Sequence, residues 1–288
     1  MNKQPATVSA LIVWILISAV TGMGKDRVVV SPWAETAVTI DGHKTDWAGA
    51  TLQTMKKLKI DYAFKNDGAD LYVLFIFNDP RSLSSIEATG MTLYFAAENN
   101  KGADHGLRFT RKALTSQELI ALFEKEGQQL TEERKQEILS KLGYTIFECS
   151  LVNKKGRVLT ENVGRISSNP PSFNLAKTEG SIVYEFRVPL AKTEIQPAGI
   201  EAKPGTALKV GFSWGGVTPE MRDAIAKQSG YAGGQAGAEA SSFEILTEDI
   251  GLEGGGGGSS FGSRMAQLQR TTQKHEFWVD VLLTARGS

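Results

Sequence analysis

Gly211-Phe212-Ser213-Trp214-Gly215 spells G-x-S-x-G, the spacing in which two glycines let a chain turn sharply and lift a serine hydroxyl towards a base. Asp249 and His275 follow in the order that a serine hydrolase built on such an elbow requires. Leu208-Lys209-Val210 in front reads as a strand, but no HGGG-like loop supplies an oxyanion hole, and the preceding chain shows hairpins in place of alternating strand and helix units. The competing reading is a plain β-strand with Phe212 and Trp214 on one face. Metal chemistry has little to build on, because His43, His105 and His275 are isolated and form no i, i+4 pair. Asp41, Asp46, Asp67 and Asp70 fall in turns, where carboxylates serve backbone N–H groups as readily as they would serve calcium. Cys149 is the single cysteine, so neither an intrachain disulfide nor a cysteine-based metal site can form, and its apolar neighbours make it a small core residue. The expectation is no catalytic group, no metal and no cofactor.

Any site must be positioned by a chain of 288 residues that is 41% hydrophobic and 22% charged, the balance of a folded protein with a sizeable core. Lys plus Arg equals Asp plus Glu at 32 each, and no basic run carries interleaved aromatics, which excludes a nucleic-acid partner. Lys3, an apolar run over residues 10–20 and the small residues Ala19, Thr21, Gly22 and Gly24 have the shape of a cleaved secretory signal over residues 1–24. The run is too short for a stable membrane span. With no cysteine near the cleavage region the mature chain is expected to be periplasmic or extracellular and not a lipoprotein.

The positioning elements read as strands. Residues 71–77 form an unbroken apolar run closed by Asn78-Asp79-Pro80, the signature of a strand buried on both faces at the middle of a sheet. Residues 60–65 alternate with period two, and Asn66-Asp67-Gly68-Ala69 between the two segments supplies a hairpin turn. Further strands are expected at 37–41, 91–95, 182–190, 207–214 and 276–283. Two stretches look inserted. In the first, 115–143, Leu119, Ile120, Leu122, Phe123, Ile138, Leu139 and Leu142 recur at helical spacing. Thr115 with Glu118 makes a capping box, Gly127 a stop, and Thr131 a second cap. This helical hairpin reads as a lid packed on the sheets, with docking of a protein partner as the alternative. The second insertion, 219–274, opens with a helical start at 220–228 and then carries Gly233, Gly234, Gly237 and an unbroken glycine run at 254–258, too much glycine for a packed core.

Ile40-Asp41-Gly42 with Asp46-Trp47, the period-two strand and the stretch 71–80 resemble the opening of family 9 carbohydrate-binding modules and the wider DOMON-like group of β-sandwiches. The strands at 91–95, 182–190 and 207–214 follow in the same order. The resemblance implies an all-β fold, a single sandwich of two antiparallel sheets over residues 25–288 decorated by the two insertions. It implies a non-catalytic exported binding module with carbohydrate as ligand. Sugar-binding members carry a platform tryptophan just before the strand matching 91–95, and this chain has Ile86-Glu87 there. Arg108 falls where the family places a sugar-contacting arginine, and no aromatic in 251–276 other than Phe261 offers a second platform. Arg108, Trp214 and Glu87 are therefore the expected ligand-binding residues, Trp47 is structural, and Trp33 and Trp278 are unassigned. Rival readings are a structural or interaction domain, a haem-binding DOMON-like protein for which Met91 and Met221 are available, and the hydrolase built on Ser213.

Overall fold

The computed structural model describes residues 28–79, 82–97, 105–178, 180–223 and 273–287. In chain order the strands begin with β1 (Val29–Ser31), β2 (Gln53–Met55), β3 (Ile60–Asn66), β4 (Asp70–Phe77), β5 (Met91–Ala97) and β6 (His105–Thr115). They continue with β7 (Gly143–Val152), β8 (Val158–Thr160), β9 (Ser172–Thr178), β10 (Ser181–Pro189), β11 (Ala207–Trp214) and β12 (His275–Leu283). The helices are α1 (Ser82–Thr89), α2 (Ser116–Lys125) and α3 (Glu132–Leu139). A seven-stranded sheet in the order β1-β12-β11-β5-β6-β7-β8 faces a five-stranded sheet in the order β2-β3-β4-β10-β9. The protein is an all-β sandwich.

β4 sits at the centre of the smaller sheet with every residue buried, as its unbroken apolar run predicts. Leu71, Val73, Phe75 and Phe77 point into the space between the sheets, where Phe75 meets Phe212 at 4.7 Å and Phe212 meets Phe277 at 5.0 Å between ring centroids. Tyr72, Leu74 and Ile76 point the other way and pack under Ala34, Val38 and Trp47. A strand can be apolar on both faces only if both are covered, and the segment 34–50 supplies the second cover. That segment is not a strand at 37–41, contrary to expectation. Its backbone N–H groups are taken by carboxylates: Thr39 N–H donates to Asp46 Oδ2 at 2.8 Å, and Asp41 and Gly42 N–H donate to Glu185 Oε2 at 3.0 and 2.6 Å. Trp47 Nε1–H donates to Glu185 Oε1 at 2.6 Å. Gly42 is at φ +84°, and a Cβ there would stand 2.5 Å from the Ala176 nitrogen, so the turn that delivers both N–H groups requires glycine.

A second difference from expectation is that the larger sheet is not wholly antiparallel: β1 pairs with β12 in parallel. The segment after β1 then crosses to the smaller sheet, where Ala34 N–H donates to Asn66 O and Asn66 N–H donates to Pro32 O at 2.8 and 3.1 Å. The hairpin of β3 and β4 is as the sequence predicts. So are α2 and α3, with the reciprocal Thr115/Glu118 capping box and Thr131 accepting from Arg134 N–H. They close the β6–β7 ribbon over a small core of their own, Leu114, Leu119 and Ile138. Cys149 is buried, and burial pushes its thiol well above the ordinary range. The expected signal segment 1–24 and the glycine-rich part of the 219–274 insertion lie outside the described residues. Of that insertion, 219–223 is helical. No helix among the described residues is long and apolar enough to cross a membrane.

Candidate functional site

On the outer face of the larger sheet, strand register alone assembles a site. Trp278 of β12 lies opposite Gly211 of β11, Gly211 opposite Tyr94 of β5, and Tyr94 opposite Gly106 of β6. One residue pair further along each strand, Glu276 lies opposite Ser213, Ser213 opposite Thr92, and Thr92 opposite Arg108. The first row alternates aromatic and glycine; the second is polar throughout. Successive same-face rows are about 7 Å apart.

The glycines let the rings lie down. A Cβ on Gly211 would be 2.8 Å from three carbons of the Trp278 ring, and one on Gly106 would be 2.7 Å from Tyr94 Cδ1. Each aromatic therefore rests flat across the backbone of the next strand, and the two rings lie 27° from coplanar with centroids 6.2 Å apart. Trp278 keeps 39% of its surface exposed, while Tyr94 keeps only 8%. Together they make the floor of a cleft of about 670 Å3, walled by the β7–β8 turn at 154–156 and by residues 215–222.

Arg108 ties those walls to the floor. Its Nη1 donates to Glu220 Oε2 at 2.9 Å and its Nη2 donates to the Gly156 carbonyl. Partial burial pushes the Glu220 carboxyl upward, but its own backbone N–H and Arg108 outweigh that and hold it below the usual range. Glu276 behaves alike: burial opposes ionisation, yet the Lys274 ammonium and the Trp278 indole N–H, donating at 3.2 Å, keep its carboxyl low. Burial raises the Tyr94 phenol.

Of the residues expected at the site, Arg108 is in the cleft. Trp214 also borders the cleft, but its ring is turned to the inward side of β11, 2% exposed, edge-on to Phe77 at 5.6 Å and stacked on His275 at 5.2 Å, and so offers no open face for stacking. Period-two geometry puts it there, since it shares a face with Phe212. Glu87 sits on α1, exposed, paired with Arg111 at 3.3 Å, and does not line the cleft. Trp278 went unrecognised, although the mid-strand glycines at 106 and 211 signal close approach of another group. Ser213 is the penultimate residue of β11, still paired with Thr92 of β5 on one side and Glu276 of β12 on the other, so it sits in the sheet and not on a nucleophile elbow; the positive-φ glycines next to it, Gly215 and Gly216, lie beyond the strand end. Asp249 lies outside the described residues. His275 is held below the ordinary imidazole range by burial against Trp214.

The turn aspartates serve the chain's own donors. Asp41 Oδ1 accepts from His43 N–H, and Asp67 accepts from Ala69 and Asp70 N–H and from the Tyr72 hydroxyl. Asp70 accepts from Asn169 Nδ2 at 2.8 Å. Among the described residues no group of three or more His, Cys, Asp or Glu is placed to hold a metal ion. Met91 is 1% exposed within the core.

No protein-family model and no curated protein matches the chain. Solved structures do. A family 9 carbohydrate-binding module from Caldicellulosiruptor kristjanssonii in complex with cellotriose is similar over 67% of this chain and 79% of its own, at 13% identity and a TM-score of 0.34. A structure of such a module from the same organism in complex with glucose is similar over 67% and 81%, at 16% identity and a TM-score of 0.33. A likeness at these levels assigns no role to any residue.

Proposed function

We propose that this is a non-catalytic carbohydrate-binding protein that stacks one sugar ring on Trp278. The observation that carries the reading is the pairing of a flat, half-exposed indole with a parallel row of hydroxyl, carboxylate and guanidinium groups one residue pair away. A pyranose has the matching anatomy: an apolar face of C–H groups that packs on an aromatic ring, and an equatorial rim of hydroxyls that both donate and accept. Glu276 accepts, and Ser213 and Thr92 do either. A cleft of about 670 Å3 is within the range of small-ligand sites. Arg108 acts in this reading through the walls it holds, since its side chain is 11% exposed and its guanidinium is engaged by Glu220 and Gly156.

The test is calorimetry of the full chain against neutral and acidic oligosaccharides, repeated on Trp278→Ala. The expected result is binding of at least one saccharide, weakened about 30-fold by the substitution, or about 2 kcal/mol. Binding untouched by loss of the indole would place the sugar elsewhere. No binding to any saccharide by the folded protein would remove the carbohydrate reading.

A further inference from the structure

The cleft holds more positive charge than its own carboxylates neutralise. Resting on the sugar-binding reading, we propose that the saccharide it takes is anionic, a pyranose bearing a carboxylate or a sulfate. Around the floor some cations are already matched: Arg108 with Glu220 at 2.9 Å, Arg157 with Asp223 at 3.2 Å, and Lys274 with Glu276. Lys154 and Lys155 on one wall and Arg222 on the other line the same space. Among the described residues these have no acidic partner within ion-pair distance, and all of them are exposed. Like charges gathered around one cleft repel until an anion enters between them, and salt screens that repulsion over a Debye length of about 8 Å. A concave site also focuses that field on its contents.

The charge is graded along the polar row, which fixes how the ligand lies. Glu276 stands at the β12 end. At the β6 end the 154–156 turn is drawn in: Arg108 donates to Gly156 O, and a Cβ on Gly156 would be 3.3 Å from the Tyr94 hydroxyl. A ring stacked on Trp278 therefore directs neutral hydroxyls to Glu276 and its anionic substituent to Lys154 and Lys155. The planar fork of Arg222 suits either a carboxylate or a sulfate in a bidentate manner.

Titration of the full chain with trigalacturonate, a chondroitin sulfate tetrasaccharide, cellotriose and inorganic sulfate distinguishes the outcomes. The expected result is that one acidic saccharide binds at least about tenfold tighter than cellotriose and loses about tenfold between about 50 and 500 mM NaCl. A preference for trigalacturonate assigns a carboxylate, and a preference for the chondroitin sulfate tetrasaccharide, which carries both acids, shows that the sulfate adds to it. The double substitution Lys154→Ala, Lys155→Ala, both on an exposed turn, should abolish that advantage while the cooperative melt is retained; an advantage that survives the substitution overturns the anionic ligand. Cellotriose binding as tightly as the acids, or salt-independent binding of the acids, overturns the anionic ligand and leaves the sugar site standing. Inorganic sulfate competing as tightly as the acidic saccharide, with Trp278→Ala without effect, overturns both, as does binding of none of the probes.

Discussion

Glu185 shows what a single side chain does in this fold. It is 0% exposed, yet its carboxylate gathers the N–H groups of Asp41, Gly42 and the Trp47 indole, and so clamps the covering segment onto the outer face of the smaller sheet. Burial pushes its carboxyl above the ordinary range against the pull of those donors. A carboxyl whose folded pKa is raised binds its proton more tightly when folded, so its contribution is fully present below the ordinary carboxyl pKa and is lost as pH rises through the folded value. Glu185→Ala, which orphans buried donors, should cost about 3 kcal/mol in guanidinium unfolding. Glu185→Gln should cost less and flatten the pH dependence of the unfolding midpoint as pH rises from the ordinary carboxyl pKa through the raised folded one. An unchanged slope would show that the group does not titrate with folding. Gly211 is the counterpart at the site. Gly211→Ala would place a methyl 2.8 Å from the indole, so the ring must tilt off the strand. Sugar affinity should fall about as far as for Trp278→Ala, read by calorimetry beside a retained cooperative melt.

At the scale of elements the helical hairpin and the sheets answer to different forces. α2 and α3 are short, and are held by caps, by the Lys135–Glu124 pair at 3.0 Å and by their own small core. Thr115→Ala removes the capping box and should destabilise the hairpin by about 1 kcal/mol. Hydrogen exchange would show faster opening of α2 amides with β4 amides unchanged; equal acceleration in both would mean that the hairpin and sandwich unfold as one unit. β11 obeys the opposite logic. Its residues alternate between the core and the cleft, so a G-x-S-x-G string that reads locally as a catalytic turn is overridden by pairing on both sides with β5 and β12.

The whole molecule is closed where its two described ends meet the turn of the central hairpin. Asn66, 0% exposed, donates from Nδ2 to Thr284 O at 2.9 Å and accepts from Thr284 N–H at 3.1 Å, while its backbone pairs with Pro32 and Ala34. Thr284 in turn donates to Ser31 O at 2.9 Å from its hydroxyl and at 3.1 Å from its backbone N–H. One side chain thus joins the β1–β12 pair of the larger sheet to β3 of the smaller. Asn66→Ala should lower stability by about 1 to 2 kcal/mol, because the part-buried Thr284 carbonyl loses its side-chain donor while the Thr284 N–H keeps only Ser31 O. A midpoint within about 0.5 kcal/mol of the parent would show that water replaces the amide at that corner.

Local pattern by itself determined the parts of this protein that depend on it. The apolar run at 71–77, the alternation at 60–65 and the turn between them predict the central hairpin, and Thr115, Glu118 and Thr131 announce the two inserted helices, because capping and period-two burial act between near neighbours. What tertiary structure alone decided involves partners far apart in the chain. The segment 37–41 has the residues of a strand but finds Glu185, distant in sequence, in place of a ladder. β1 pairs in parallel with a strand from the other end of the chain. Trp214 and Trp278 are both tryptophans on neighbouring strands, and what tells them apart is the face each presents and the residue opposite it. One turns inward onto Phe77, and the other lies across a glycine that leaves its upper face open. Composition cannot express that choice, since whether an aromatic ring is core or platform depends on what stands opposite it on the next strand.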